Sequence, residues 1–522
     1  SGRCSVTGPL ATGPLAMVID CGSTNITVAA VDDRGCLVQS ANLPNAVRQQ
    51  KGGAEGWLVW DLDEIWAKVT ALCRQVTSSV PRGAVLSVTA TTFGADGAPV
   101  RPDGSLAHPM ISWQCSRTQS VASRIAEQIS AWEVYQLSGY QIIPFNTLLR
   151  LMWLREHAPE VLTPPNRWLM APGLLSLRLC GEFTMDATSA STTMALDLGC
   201  RSWSARLLGL AGIDEAFFPR WVEPGEVIGR VTAAAAEATG IPIGTPVVAT
   251  GHDTQFAPVG SGAKPGEAIL SSGTWEILMA RLGRFEPNRF GFEEGLLIEL
   301  DAQPGLWDPQ ILMIGSAVLE WVRQRFYGQI EDRREAYAAM IQAAHRAGPG
   351  AAGLLMVPSL VAGTGPTKKH GSLGTVLGLT LGSEPGAIYR AALEGLSFQM
   401  RDALRIVEQS TGFRATGLRV VGGGSRNDLW NQIRADVTGL PVATIEQKEA
   451  TTLGAAMFAF VGGGHFHSLA EAQSAFELGE SSHEPGPDRS LYEDLFGAYR
   501  EVPPSLQAVY GRLEQLRHSH DR

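Results

Sequence analysis

Two short polar turns, each with a glycine, join pairs of apolar segments about half a chain apart. The first occupies residues 20–25 (DCGSTN) and the second residues 271–276 (SSGTWE) of a 522-residue chain. An apolar run, a tight polar turn and a second apolar run are typical of a β-hairpin. Backbone N–H groups and hydroxyls in such turns can bind phosphate oxygens. The repeat therefore predicts a nucleotide-handling enzyme built from two related halves.

The residue types in these turns indicate two tasks. Asp20 can approach the metal that accompanies ATP, and we expect water between them because Mg²⁺ keeps much of its hydration shell. The other positions would offer donors to the phosphates. These expected nucleotide-binding residues are Gly22, Ser23, Thr24, Asn25, Gly273 and Thr274.

A carboxylate between the two turns is the candidate catalytic base. Asp253 follows an apolar run and Gly251, a setting in which its side chain can point into a cleft. Phosphoryl transfer to an alcohol needs a carboxylate that orients the hydroxyl and accepts its proton. An aspartate that only caps a turn has the same local pattern, so this interpretation stays open. We interpret the neighbouring His252 as a structural residue.

A third glycine turn, residues 422–427 (GGGSRN), follows an apolar strand and precedes a helical segment. Gly423 and Gly424 would let a flat ligand such as adenine approach the backbone. Asn427 could hydrogen-bond that ligand at the start of the helix. Taken alone, such a turn is as often purely structural.

Several common signatures are absent from the sequence. It contains no G-x-x-x-x-G-K-[ST], no G-x-G-x-x-G after a first strand, no G-x-S-x-G and no H-E-x-x-H. The sequence therefore lacks the motifs that usually indicate a P-loop enzyme, a dehydrogenase, a serine hydrolase or a zinc protease.

Strand-like and helical segments alternate along the chain, which is typical of α/β proteins. Strands are predicted at residues 84–91 and 418–421, and helices at residues 61–80, 120–137, 148–157, 316–327, 385–408 and 429–437. The Gly/Pro/Ser-rich residues 478–489 predict a linker to a final amphipathic helix.

The domain organisation is predicted from composition. We expect residues 1–16, which are small and rich in Gly and Pro, to form a flexible extension. A boundary near residues 258–266 divides the remainder into an N-terminal domain, 17–258, and a C-terminal domain, 259–522. A chain of this length is expected to form two or more domains.

Composition narrows the class of protein. An apolar fraction of 44% with 18% charged residues indicates an ordered globular chain, and a net charge of −10 argues against a nucleic-acid partner. The seven cysteines form no C-x-x-C pair, so we expect neither a disulfide framework nor a zinc site. Residues 450–470 are free of charge but contain glycines and histidines, so a buried helix and loop is expected there and not a membrane span. These features predict a cytoplasmic protein.

Together with three further segments, the ordered turns resemble the FGGY family of carbohydrate kinases. These segments are residues 145–157, with Arg150 in place of the usual Lys, residues 378–382 with 389–395, and residues 449–456. The resemblance covers most of the chain. It implies an α/β fold of two ribonuclease-H-like (actin/hexokinase-type) domains with a cleft between them, the N-terminal one on the sugar side and the C-terminal one on the nucleotide side. It also implies ATP and Mg²⁺ as cofactors.

Within the family, the stretches around residues 251–257, 271–279 and 422–433 favour transfer of the ATP γ-phosphate to O1 of L-fuculose. L-rhamnulose or another ketose is the alternative substrate. The resemblance implies Asp96, Trp113 and Asp253 as sugar contacts. A small-molecule ketose is then the expected partner, and a homo-oligomer is left open.

Two positions depart from the usual family pattern. Thr27 stands where many relatives carry an Arg, which would weaken ATP binding unless another cation, such as Lys368 or Lys369, replaces it. Cys115 stands where many members carry an Asp, although members that act on L-fuculose share the Cys. The change at Thr27 leaves a second class open, a non-catalytic sugar sensor on the kinase fold. An actin-like ATPase is disfavoured because the family segments have no role there.

Overall fold

The computed structural model describes residues 13–81, 83–447 and 449–520. We refer to the described residues up to 258 as the N-terminal half and to those from 259 as the C-terminal half. Each half contains one large mixed β-sheet flanked by helices.

The N-terminal half contains fifteen strands and nine α-helices among its described residues. The strands are β1 (Leu15–Cys21), β2 (Asn25–Asp32), β3 (Leu37–Pro44), β4 (Arg48–Gln49), β5 (Leu58–Trp60), β6 (Val85–Thr92), β7 (Gly97–Val100), β8 (Met110–Ile111), β9 (Arg167–Met170), β10 (Thr184–Asp186), β11 (Leu196–Asp197), β12 (Ser202–Trp203), β13 (Arg220–Val222), β14 (Val227–Arg230) and β15 (Pro246–Val248). The helices are α1 (Leu62–Thr77), α2 (Gln119–Arg124), α3 (Ala131–Ser138), α4 (Thr147–His157), α5 (Ala171–Cys180), α6 (Ala187–Ser191), α7 (Ala205–Leu208), α8 (Ala233–Thr239) and α9 (Ala257–Gly260).

The C-terminal half contains nine strands and eight α-helices within the described part. The strands are β16 (Glu267–Ser272), β17 (Trp275–Met279), β18 (Leu297–Leu300), β19 (Trp307–Ile314), β20 (Leu355–Val357), β21 (Thr375–Leu377), β22 (Gly417–Val421), β23 (Val442–Ile445) and β24 (Glu480–His483). The helices are α10 (Arg289–Glu294), α11 (Ala317–Phe326), α12 (Arg333–Ala347), α13 (Pro385–Thr411), α14 (Asp428–Thr438), α15 (Ala450–Gly462), α16 (Leu469–Ala475) and α17 (Arg489–His520).

The two large sheets repeat one topology. Their strand orders are β14-β15-β6-β1-β2-β3 and β18-β19-β17-β16-β22-β23-β24. In each sheet a three-stranded antiparallel meander (β1-β2-β3 and β16-β17-β19) is extended by two parallel strands beside its first strand (β6 and β15, then β22 and β23). The sequence prediction of two related α/β halves is confirmed.

Both predicted hairpins are present, and most predicted elements lie where the pattern indicated. β1 pairs with β2 and β16 with β17, both antiparallel. β1 starts at Leu15, two residues earlier than the predicted start, so the last two residues of the expected extension belong to the sheet. Residues 1–12 of that extension lie outside the described residues.

Two predicted elements differ from the structure. The helix expected at 120–137 is broken into α2, a 3₁₀ turn and α3, because Ser130 caps α3 by accepting from the backbone N–H of Glu133. The linker expected at 478–489 contains the edge strand β24, which pairs with β23. The charge-free segment at 450–470 forms the buried helix α15 and a following loop, as predicted.

The side chains of β1 point alternately to its two faces and divide the N-terminal core into two layers. Met17 and Ile19 pack towards α1 and α5, whereas Ala16 and Val18 pack towards α15, a helix of the C-terminal half. Successive side chains of a strand point to opposite faces of the sheet, so both faces of this sheet are buried. The second face is covered by a helix from the other half of the chain.

α15 reaches that face by crossing α9 at two glycines. A methyl group added at Gly260 would overlap the carbonyl oxygen of Ala450, and one added at Gly454 would overlap the carbonyl oxygen of Phe256. Only glycine lets two helix backbones approach so closely. This crossing joins the two halves directly beside the turn that carries Asp253.

The cysteines and the helices bear on the expectations from composition. Cys21, Cys73, Cys115, Cys180 and Cys200 are free thiols. Cys36 differs, because it is disulfide-bonded. Among the described helices, none combines the length and apolar character that a membrane span requires.

We predict that replacing Gly454 with Ala lowers the melting temperature, because its methyl group overlaps backbone that cannot move aside. Overpacking of this kind costs roughly 1–3 kcal/mol. The matched control is Gly497→Ala in α17, where nothing lies within 4 Å of the added methyl group. Alanine at an open helical position is expected to leave stability unchanged or raise it. Thermal unfolding followed by circular dichroism measures both variants, and equal melting temperatures would contradict the close crossing.

Candidate functional site

The first polar turn is held open by a buried side chain from the next strand connection. Asn45 donates from Nδ2 to the carbonyl oxygen of Gly22 at 2.9 Å, and its backbone N–H donates to the carbonyl oxygen of Thr24 at 2.8 Å. Thr24 and Asn25 are exposed, while Gly22 and Ser23 are partly exposed. The turn residues named from the sequence therefore present their surface outward at the carboxyl end of β1.

Three carboxylates converge at this end of β1. Asp20 keeps some exposed surface but is otherwise enclosed by protein, and its pKa is raised to about 8. Loss of hydration is the main cause, and the charges of Asp253 and Glu449 add to it. Glu449 directly precedes α15, so the glycine crossing of α9 and α15 brings it here.

Asp253 has one carboxylate oxygen engaged and one without a partner. Oδ1 accepts from the backbone N–H of Thr254 at 2.7 Å and lies 3.1 Å from Nδ1 of His252. Within the described part of the chain, Oδ2 has neither a hydrogen-bond nor an ion-pair partner. The side chain is partly exposed. A carboxylate arranged in this way can accept a proton at Oδ2 without breaking an internal contact.

The second turn is fixed by a buried ion pair that the sequence patterns did not reveal. Arg434 of α14 lies 2.6 Å from Oε1 of Glu276, and both side chains are inaccessible to solvent. Ser272 joins this pair, donating to Glu276 at 2.6 Å and accepting from Arg434 at 2.8 Å. Gly273 and Thr274, at the tip of the turn, stay at least partly exposed. The ion pair thus anchors the base of the turn and leaves its tip open.

The same ion pair connects the second turn to the third. The Arg434 guanidinium lies over the ring of Trp430, 3.7 Å from its centroid. A methyl group added at Gly424 would overlap Oγ of Ser272, so this position requires glycine. The glycine turn at 422–427 therefore packs directly on the phosphate turn predicted from the sequence.

A cavity of about 880 Å³ opens beside the third turn, between α11, α12 and the start of α14. Gly423, Gly424 and Asn427, the three residues expected to bind the nucleotide base, all line it. Arg334 and Arg426 also line it, and neither has an ion-pair or hydrogen-bond partner among the described residues. A cavity of this size with two unpaired cations suits a large anionic ligand.

Asn427 has a structural task in addition. Its Oδ1 caps α14 by accepting from the backbone N–H of Trp430 at 3.1 Å, and its Nδ2 donates to the hydroxyl of Tyr389 at 3.2 Å. One N–H of the amide group is left for a ligand.

Asp96, expected to contact the sugar, is completely buried. Oδ1 pairs with Arg150 at 2.6 Å, while Oδ2 accepts from Trp60 Nε1 at 2.6 Å and from the backbone N–H of Trp113 at 3.0 Å. Trp113 itself is 39% exposed and meets Phe145 edge to face. The structure therefore presents the Trp113 ring as an open surface, with Asp96 beneath it as an anchor.

The lysines considered as replacements for the missing Arg lie elsewhere. Lys369 pairs with Glu294 at 2.5 Å, and Lys368 packs on Gly295 at the end of α10. Neither is among the charges that act on Asp20. Thr27 pairs with Asp20 in the β1–β2 ladder, so the residue opposite that carboxylate is uncharged.

The donor set at the first turn fits a hard divalent cation. Carboxylate oxygens are the ligands that Mg²⁺ prefers, and burial, followed by the charges of Asp253 and Glu449, raises the pKa of Asp20. Among the described residues, no three acidic, histidine or cysteine side chains come close enough to hold an ion by themselves. An ion held near Asp20 would therefore keep water and ligand phosphates among its ligands.

Comparison with protein families gives two adjacent matches. The N-terminal domain of the FGGY family of carbohydrate kinases matches residues 15–260, and its C-terminal domain matches residues 268–463. The chain belongs to the FGGY family of carbohydrate kinases. ATP is accordingly the phosphate donor that membership implies, and a sugar is the acceptor.

Individual FGGY relatives are similar over nearly their whole length. L-fuculokinase of Escherichia coli (strain K12) is 40% identical over 460 residues, covering 88% of this chain and 94% of the relative. L-fuculokinase of Haemophilus influenzae is 34% identical, covering 89% of this chain and 98% of the relative. Autoinducer-2 kinase of Salmonella typhimurium is 27% identical, covering 95% and 94%.

Solved structures share the fold of this FGGY chain. Ligand-bound xylulose kinase from Lactobacillus acidophilus has a TM-score of 0.86 at 21% identity, covering 96% of this chain and all of that one. Plasmodium falciparum glycerol kinase with ADP has a TM-score of 0.84 at 18% identity, covering 94% and 98%. The two-domain actin/hexokinase-like α/β fold implied by the sequence is confirmed.

Several residues that shape this site were not predicted from the sequence. Glu449 directly precedes an apolar helix, and a charged residue in that position indicates a functional or capping role. Arg434 shares a helix face with Trp430, and a charge among apolar positions indicates a buried ion pair. Glu276 and Glu299 lie in strand patterns, where nothing local distinguishes them.

We predict that Asp20→Asn stabilises the nucleotide-free protein as the pH rises. Folded Asp20 holds its proton up to about pH 8, whereas the unfolded chain releases it near the ordinary value of 3.8. The folded state binds more protons between these values, so wild-type stability falls as pH rises through this window. The advantage of the variant over the wild type should therefore be larger at pH 8 than at pH 5 in urea unfolding.

Glu64→Gln serves as a control of opposite sign. Hydrogen bonds from Arg48 and Lys68 lower the pKa of Glu64 to about 2, so its ionised form stabilises the fold above its ordinary range. Removing it should cost a small amount of stability at both pH values, because the pair is near the surface. Curves for Asp20→Asn that run parallel to those of the wild type would contradict the three-carboxylate arrangement.

Proposed function

We propose that this FGGY kinase transfers the γ-phosphate of ATP to O1 of L-fuculose, giving L-fuculose 1-phosphate. The observation that carries the reaction type is Asp253, whose Oδ1 is held while its Oδ2 has no partner within the described residues. The choice of L-fuculose is supported by the two L-fuculokinases that are 40% and 34% identical over most of the chain.

In the proposed reaction Asp253 is the general base. Oδ2 accepts the proton of the sugar O1 hydroxyl as O1 forms a bond to the γ-phosphorus, and the bond from that phosphorus to the β–γ bridging oxygen breaks. ADP leaves with the electron pair of the broken bond. General base catalysis of this kind contributes about 10²–10⁴-fold, and positioning with charge neutralisation supplies the rest.

The two polar turns would hold the phosphates from opposite sides. Gly22, Ser23, Thr24 and Asn25 offer donors from the N-terminal half, and Gly273 and Thr274 offer them from the C-terminal half. Asp20 would hold Mg²⁺ through water beside the first turn. The ion, when bound, neutralises phosphate charge.

The remaining contacts divide between the halves. We assign the sugar to an N-terminal domain, residues 17–258, with Trp113 as an aromatic wall that Asp96 supports from below. A direct sugar contact by Asp96 would require exposure of a carboxylate that is now buried. The C-terminal domain, residues 259–522, would bind adenosine in the cavity lined by Gly423, Gly424 and Asn427. The proposal includes a cytoplasmic location, where ATP is abundant.

An ADP-release assay with four ketoses tests the proposal. L-fuculose, L-rhamnulose, D-ribulose and L-xylulose are compared by kcat/KM, and ³¹P–¹H NMR of the product identifies the phosphorylated hydroxyl. We expect the highest value for L-fuculose and a phosphate on O1. A higher kcat/KM for L-rhamnulose would show that L-rhamnulose, and not L-fuculose, is the preferred ketose. Tight sugar binding without any ADP release would support a non-catalytic sensor.

We predict that Asp253→Asn lowers kcat by at least about 10²-fold, because the amide cannot accept the proton. Binding of ATP, measured by calorimetry on the same variant, should change little, since the phosphate turns are intact. Turnover near the wild-type value would remove Asp253 from the role of base.

We predict that Thr27→Arg strengthens ATP binding. Residues paired across an antiparallel ladder lie on the same face, so the new guanidinium would stand beside Asp20 and close to bound phosphates. A fall in KM for ATP of about fivefold, or ~1 kcal/mol, is expected. Thr27→Gln is the uncharged control of similar length. Equal KM values for the two variants would show that charge at this position does not reach the nucleotide.

A further inference from the structure

A buried glutamate of the C-terminal half makes its polar contacts with the N-terminal half. Glu299 lies on β18 and is 2% exposed. Its Oε1 accepts from the hydroxyl of Tyr140, and its Oε2 accepts from Nε2 of Gln255 at 2.6 Å and lies 3.8 Å from Nε2 of His252. Tyr140 and Gln255 are buried as well. Hydrogen bonds inside a buried network of this kind hold its members in place.

His252 lies in this network with 13% of its side chain exposed. Its backbone N–H donates to Oγ1 of Thr188 at 2.9 Å, and its Nδ1 lies 3.1 Å from Oδ1 of Asp253. A methyl group added at Gly94 would come within 2.9 Å of the imidazole ring. The ring therefore has little freedom to rotate away from Asp253.

Three carboxylates face this imidazole: Asp253 from its own turn, Glu299 from β18, and Asp186 from the start of α6. Burial alone lowers the pKa of His252, but these carboxylates outweigh it and raise the pKa to about 9. Protonated histidine carries an N–H on both ring nitrogens. The protonated ring would carry its charge between Asp253, 3.1 Å from Nδ1, and Glu299, 3.8 Å from Nε2, both of which are ion-pair contacts.

We infer that His252 and Glu299 are positioning residues for the base Asp253. In this arrangement Glu299 orients the imidazole, the imidazole holds Oδ1, and Oδ2 alone remains for the sugar hydroxyl. A base whose partner is oriented by a third group is a recurring catalytic arrangement. The inference rests on the proposed kinase function and adds that the C-terminal half, through Glu299, sets the geometry of a base on the N-terminal half.

The competing explanation is that the network only stabilises the junction between the halves. A second hydrogen bond across the same junction allows the two to be separated. Trp307 of β19 donates from Nε1 to the carbonyl oxygen of Leu198 at 3.0 Å, and it contacts neither His252 nor Glu299 through a hydrogen bond. A purely structural role predicts similar consequences for the loss of either contact.

The first experiment compares Glu299→Gln with Trp307→Phe by steady-state kinetics across pH 6–10. For Glu299→Gln we expect kcat to fall about tenfold or more with little change in KM for the ketose. The alkaline limb of kcat should move to lower pH, because loss of a facing carboxylate lowers the pKa of His252. Trp307→Phe should lower the melting temperature and leave kcat and the pH profile unchanged.

The second experiment does not depend on turnover. Histidine ring nitrogens are followed by NMR in the wild type and in Glu299→Gln, and His252→Gln identifies the signal. We expect the wild-type ring to stay protonated until about pH 9 and the variant ring to titrate at lower pH. This result would hold even if none of the ketoses were phosphorylated, so failure of the proposed function is distinguishable from failure of the positioning role.

Three outcomes would overturn the inference. They are an unchanged His252 titration in Glu299→Gln, an equal loss of kcat in Glu299→Gln and Trp307→Phe, and a fully active His252→Gln. Should Glu299→Gln not fold, His252→Gln carries the kinetic test alone, with the same expected fall in kcat at constant KM.

Discussion

The close crossing of α9 and α15 at Gly260 and Gly454 is the constraint on which the site depends. It lets a helix of the C-terminal half cover one face of the N-terminal sheet, so that β1 is buried on both sides. Asp253, in the 3₁₀ turn that leads into α9, and Glu449, directly before α15, are thereby brought to the end of β1. Any side chain at either glycine would separate these backbones, and with them the carboxylates.

That proximity is unfavourable in the absence of ligand. Asp20 loses hydration and faces two further carboxylates, while the position opposite it is Thr27 and not a cation. A site that concentrates negative charge in this way is stabilised most by a ligand that brings its own cations. Active sites commonly give up stability for such preorganisation.

The sequence was sufficient for features that are local. The two hairpins, the glycine turn at 422–427 and Asp253 are each encoded by a few consecutive residues, and the repeat of the turns predicted the repeat of the sheets. Contacts between residues far apart in the chain could not be predicted from the sequence. Glu299 meets Gln255 and Tyr140 from 44 and 159 positions away, and no spacing rule connects them. The burial of Asp96 beneath Trp113 likewise depends on Arg150 and Trp60, which lie far along the chain.

The two hairpins share one backbone topology, but the charged residues packed around their turns differ. This difference suits the two turns to different tasks in the proposed reaction. The first ends among carboxylates, where a metal and a hydroxyl can be handled. The second rests on the neutralised pair of Arg434 and Glu276, and Arg434 also packs on Trp430 at the wall of the cavity beside the third turn. A neutral, rigid base suits a turn that must hold phosphate without repelling it. The same topology thus carries a cluster of carboxylates at the first turn and a neutralised ion pair at the second. Both sets of buried charges are brought together only by the tertiary structure.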